Sequence, residues 1–139
     1  MSSDGGLSSF QKRMRAIPIA VREAVEPALV KSGDELAAVM KQLAPEAQGD
    51  LKGSITVTAP GQRTPAYSQP GGSRTAQENE VLVTAGNSKV RYAHLQEYGT
   101  AHAHAQPFFW PAVRLTKKRI TNRIKRAISK AVRNSKGGQ

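Results

Sequence analysis

The chain has 139 residues, of which 38% are hydrophobic and 5% aromatic, with a formal net charge of +11. That length suits one domain with appendages and a modest core, and the absence of cysteine excludes a disulfide framework or a thiolate metal site. No run of about 18 apolar residues suits a membrane span, and the N-terminal MSSDGGLSSFQKRMR lacks the apolar stretch of an export signal.

Residues 1–6 are small, polar and Gly-rich, and are expected to be disordered, as are residues 135–139. Between them, residues 7–134 are expected to form a single domain. A helical pattern starts near Leu7 and carries Phe10, Met14 and Ile17 on one face, until Pro18 interrupts it. From Ile19, helical spacing resumes through Val21, Val25, Leu29, Leu36, Val39, Met40 and Leu43, with a shift near Gly33. Pro27 predicts a bend within this helix, and Pro45 ends it at Leu43-Ala44. After a turn over Pro45–Gly49, β-branched alternation predicts a strand around Ser54–Ala59, and EVLVTA predicts a second over Glu80–Ala85. The intervening residues 59–79 are rich in Pro, Gly and small polar residues and read as a long flexible loop. Tyr92–Tyr98 fits a short helix or a strand equally well. A long helix follows from about Phe108 to Asn134, its apolar stripe formed by Val113, Ile120, Ile124, Ile128 and Val132, with Ala127 and Ala131 alongside. The fold class is α+β: N-terminal helices, a small antiparallel β-sheet with a long loop, and a long basic C-terminal helix.

Two features stand out against this background. The first is aromatic. Residues 90–113 contain Tyr92, Tyr98, Phe108, Phe109, the only Trp (Trp110) and all three His. Phe108, Phe109 and Trp110 are consecutive, so at a helix start they fan over about 200°. One buried face cannot hold all three, which predicts that at least one meets another element or another chain. The second feature is charge. Residues 1–97 hold all 10 acids and 11 of the 21 bases, whereas residues 98–139 hold the other 10 bases and no acid. Lys117, Lys118, Arg119, Arg123, Lys125, Arg126, Lys130 and Arg133 surround the apolar stripe of the last helix. Such a face can be merely solvated, but like charges at i,i+4 destabilise an isolated helix, so DNA phosphate or an acidic protein face is expected nearby.

Enzymatic signatures are missing: the sequence has no P-loop, HExxH, nucleophile elbow or dinucleotide-binding turn. His94, His102 and His104 could be weighed as metal ligands, yet their spacing is poor evidence, and a loop of packing or hydrogen-bonding histidines is the plainer reading. No cofactor is expected.

The pattern Ala44-Pro45-x-x-x-Gly49-x-Leu51-x-x-Ser54-Ile55, followed by Tyr92, Glu97, Gly99, Thr100, Pro107, Phe108, Pro111 and Ala112, resembles two ordered signatures of phage tail-completion proteins, the gene-product-ten-like tail components of siphophages. Gln48 stands where the family usually has Thr, and the HAHA run and the long 59–79 loop are departures. The resemblance implies a non-enzymatic virion protein at the head–tail junction, present in the host cytoplasm during assembly and without membrane contact. It implies a homo-oligomeric ring, most often hexameric, around a DNA channel, with head-connector and tail-terminator or tail-tube proteins as neighbours. On that view Tyr92, Glu97, Tyr98, Phe108, Phe109 and Trp110 form the subunit interface, and the basic residues of the last helix lie near DNA. Glu97, the last acid in the chain, is expected to pair with a base of the terminal helix, and Gly99 to adopt positive φ. The alternative reading is a small non-specific nucleic-acid-binding protein using its basic C-terminal helix.

Overall fold

The computed structural model describes residues 19–45, 49–90, 93–98 and 107–137, without the side chains of 49, 94–96 and 135–137. The sequence-predicted helix around Leu7–Ile17 lies outside these residues.

Helix α1 (Ile19–Leu43) follows the predicted apolar spacing and buries Val21, Val25, Ala37 and Met40. It runs on through Pro27 and closes with the Ala44 N–H donating to the Met40 carbonyl (2.9 Å), just before Pro45. A five-residue helix, α2 (Gly49–Gly53), comes next and was not anticipated: the sequence there reads as a turn leading into extended chain. It inserts Leu51, which is fully buried. Strands β1 (Thr56–Thr58) and β2 (Leu82–Thr84) are shorter than predicted and pair antiparallel, with Val57 opposite Val83. Two strands alone are marginal in water, so the sheet depends on what covers it. Gly33 of α1 supplies that contact. A Cβ at Gly33 would lie 2.8 Å from Val81 Cγ1 and 3.0 Å from Val57 Cγ1, which accounts for the shift of the apolar pattern there.

The segment 59–79 is internally bonded. Arg63 bridges Thr75, and Gln69 bridges Ala85 beside β2. Thr64 Oγ1 accepts the Arg74 N–H (2.7 Å), and Ser68 is fully buried. Pro70 follows a cis peptide bond. The first sequence signature becomes intelligible here. Ala44, Leu51 and Ile55 are core residues, while Ser54 Oγ donates to the Leu51 carbonyl (2.7 Å) and accepts the Gly86 N–H (3.0 Å). Ser54 thus ties the end of α2 to the turn after β2. Gly86 has φ 103°, and a Cβ there would come within 3.0 Å of the Val90 carbonyl oxygen, so the turn requires glycine.

Residues Ala93–Tyr98 form helix α3, settling the ambiguity of that segment. The terminal helix α4 (Phe109–Gly137) matches prediction and packs antiparallel along α1. Its N-terminal part joins the main core of Met40, Leu51, Ile55, Val90 and Phe108. Its C-terminal part meets a smaller cluster, where Val21 and Val25 of α1 pack on Ala131, flanked by Leu29, Ile128 and Val132. The result is an α+β domain, a long helix pair over a two-stranded sheet.

Candidate assembly interface

The start of α4 explains the second signature. The sequence Pro107-Phe108-Phe109-Trp110 offers no Ser, Thr, Asp or Asn to cap the helix, so its first N–H groups need an acceptor from elsewhere. Glu97 of α3 provides it. Its Oε1 accepts the N–H groups of Phe108 (3.0 Å) and Phe109 (2.8 Å), and Oε2 accepts that of Trp110 (3.4 Å). Glu97 is buried, and the positive end of the helix dipole compensates its charge. The expected pairing of Glu97 with a basic side chain is therefore corrected: its partners are the backbone donors Phe108, Phe109 and Trp110 at the start of α4. Pro111 falls within the first turn, where no intrahelical N–H bond is lost.

This cap fixes the fan of aromatics. Phe108 and Phe109 turn inward, 1% and 9% exposed, with ring centroids 6.4 Å apart and nearly perpendicular planes. Trp110 stands edge-on to Phe109 at 5.0 Å and remains 39% exposed. Its indole N–H donates to the hydroxyl of Tyr98 (2.7 Å), which is itself 68% exposed. Exposed Gln69, Pro70, Tyr98 and Trp110 and buried Ala85, Ala93, Glu97, Phe108 and Phe109 line a mostly apolar hollow of about 60 Å³. Of the residues expected at a subunit interface, Phe108, Phe109 and Glu97 are thus committed to the interior, and Tyr98 and Trp110 remain exposed. Tyr92 lies outside the described residues, as do Gly99, His102, His104 and the side chain of His94.

The basic residues also divide. Lys117, Lys118, Arg119, Lys125, Arg126, Lys130 and Arg133 are exposed along α4. Arg123 instead turns onto α1, where Nη2 donates to Glu35 Oε2 (2.7 Å) and Nη1 to Ser32 Oγ (3.2 Å). Arg119 Nε lies 3.2 Å from the other Glu35 oxygen. The Arg123 hydrogen bond, aided by the nearby charges of Arg119 and Lys31, holds the Glu35 carboxyl below the usual carboxylate range despite desolvation. So the acid that pairs with the terminal helix is Glu35, not Glu97. The only sequence signal for it was its place beside the apolar stripe of α1, one residue before Leu36.

Among the described residues, no group of three or more His, Asp or Glu could hold a metal ion, and no helix is long and apolar enough to cross a membrane. The described surface carries a capped aromatic edge at one end of α4 and a cationic face along its side.

Comparison with known proteins agrees with the signatures. No curated protein and no solved structure gives a match. The family model described as "Bacteriophage HK97-gp10, putative tail-component" matches residues 8–99, which takes in α1, the sheet and Glu97 but not α4. By that match, extending over most of the chain, the protein belongs to the HK97-gp10-like family of bacteriophage tail components.

Proposed function

We propose that this tail component completes the tail of a phage or phage-like particle at the head–tail junction, as a homo-oligomeric ring around the DNA channel. Its role is structural rather than catalytic. A hexamer is the stoichiometry the resemblance suggests, with head-connector and tail-terminator or tail-tube proteins on either side. The observation that carries this reading is the pair Trp110 and Tyr98. Both are large and exposed, held by a mutual hydrogen bond and by the Glu97 cap, and they border an apolar hollow. Aromatics pre-positioned in this way are the usual anchors of protein interfaces.

The test is Trp110→Ala. Because the indole contributes to an exposed rim and not to the core, the variant is expected to keep the Tm of the wild type within a few degrees. Particle assembly, followed by electron microscopy and by complementation of a phage lacking the gene, is expected to fail. Normal particles from a folded Trp110→Ala protein would remove the reading.

One observation favours a second role. Eight exposed bases along α4, Arg114 among them, make a face that nucleic acid would fit. A protein binding DNA in this way loses affinity by roughly 0.9 log units per log unit of salt for each phosphate contacted. Titration of a DNA duplex at two salt concentrations separates this from an aromatic contact, which responds little to salt.

A further inference from the structure

Helices α1 and α4 lie side by side, and each keeps a face turned away from the other. On α1, Val21 and Val25 face α4, and Glu23 lies about 160–200° around the helix from them. On α4, Ala131 faces α1, and Leu115 and Asn122 lie about 160–180° around from it. The helix pair therefore has two outer faces, and their charges are opposite. Glu23, Glu26 and Asp34, against the single base Lys31, line a shallow groove on α1 whose apolar part is Pro27 and Val30. Lys118, Arg119 and Arg126 surround Leu115 on α4, and Leu115 is 68% exposed.

Apart from Arg119, which pairs with Glu35, these charges are unused within the subunit. Glu23, Glu26, Asp34, Lys118, Lys125 and Arg126 are all exposed, and none forms an ion pair with another described residue. Arg114–Lys118 and Arg126–Lys130 are i,i+4 pairs of like charge, which weaken α4 unless an anion relieves them. The acidic groove cannot be that anion within one chain, because the two faces point apart. It can be in a second copy.

We infer that the acidic groove of α1 receives the Leu115-centred basic face of α4 from a second copy of this chain, in a head-to-tail contact that repeats around the ring. The inference rests on the ring reading proposed above. Leu115 packs against Pro27 and Val30, and the lysines and arginines around it meet Glu23, Glu26 and Asp34. An apolar centre with a charged rim is the ordinary anatomy of a protein interface, and complementary charge sets its register and speeds its formation. Because the two patches differ, the contact is heterologous and closes into a ring when its rotation allows. Duplex DNA on the basic face would leave the acidic groove without a role, so the second copy accounts for more of the surface.

Charge reversal tests this. One variant carries Glu23→Lys, Glu26→Lys and Asp34→Lys; the other carries Lys118→Glu, Lys125→Glu and Arg126→Glu. Every altered side chain is exposed, so both variants are expected to fold, as checked by circular dichroism. Light scattering at low salt, over a concentration series, is expected to show association of the wild type that weakens as salt is raised. Each variant alone is expected to associate at least about tenfold more weakly, and an equimolar mixture to recover association, because each then offers the other an opposite face. Wild-type association retained by both variants would overturn the contact and leave the ring reading standing. Loss in the lysine and arginine variant alone, without rescue on mixing, would also overturn it and assign the basic face to a polyanion. A wild type that stays monomeric throughout would overturn the contact and the ring together.

Discussion

The two halves of α4 are held by different means. At its N-terminal end, Phe108, Phe109 and Ala112 enter the main core, Thr116 Oγ1 bonds back to the Ala112 carbonyl (2.8 Å), and Glu97 anchors three backbone N–H groups. Toward its C-terminal end, Ala131 is the buried apolar residue, the isoleucines are half-buried, and the main polar tie is Arg123 to Glu35 and Ser32. One half is fixed by packing and bonds that only one geometry satisfies. The other rests on a narrow apolar stripe and ion pairs. The aromatic end is therefore the better-anchored end of α4, and the distal helix pair is held by the smaller buried cluster.

Phe108→Ala should break the comparison most severely. Removing a fully buried ring costs about 3–5 kcal/mol, enough to unfold much of a small domain, and denaturant unfolding measures it. Glu97→Ala comes next. It leaves buried N–H groups unpaired at about 1–3 kcal/mol for the first lost partner, and hydrogen exchange should show early exchange concentrated at Phe108–Trp110. A Glu97→Ala protein exchanging no faster there than the wild type would sink the cap.

Arg123→Ala should have the smallest effect, about 1.5 kcal/mol, confined to the distal half. The Glu35 carboxyl titrates below its ordinary value, so its contribution is complete above the usual carboxylate range and is lost as pH falls through the lowered value. The Tm difference between wild type and Glu35→Gln is therefore expected to shrink below about pH 4. A difference that grows on acidification would mean that folding favours the protonated Glu35 carboxyl, against the Arg123 pairing.

The parts of this fold legible in the sequence are those that repeat. The spacing from Val21 to Leu43 gave α1 its length, and Pro45 its end; the stripe from Val113 to Val132 gave α4. Short elements were harder. Five residues of α2 are fewer than two turns and carry no period, and Leu51 reads equally well as the start of a strand. The bridges within 59–79 depend on partners at separations that composition does not encode. Glu97 stands out as the last acid before the basic segment, whereas Glu35 is marked only by its place beside the apolar stripe of α1; which acid serves which part of α4 is decided by where α3 and α1 lie. The consecutive Phe108, Phe109 and Trp110 did announce that they could not all be buried. The sequence pattern could not say which would stay outside, because that depends on the rotation of α4 imposed by the Glu97 cap.

That cap has a topological consequence. Glu97 and the start of α4 are bonded directly, so the end of α3 and the first turn of α4 are held together whatever sequence joins them. Loop closure there is independent of the connecting sequence, and doubling its length adds only about 0.6 kcal/mol of entropy. An insertion between Tyr98 and Pro107 is therefore expected to leave the register of α4 unaltered, which makes that connection a place to carry a label for locating this subunit in an assembled tail.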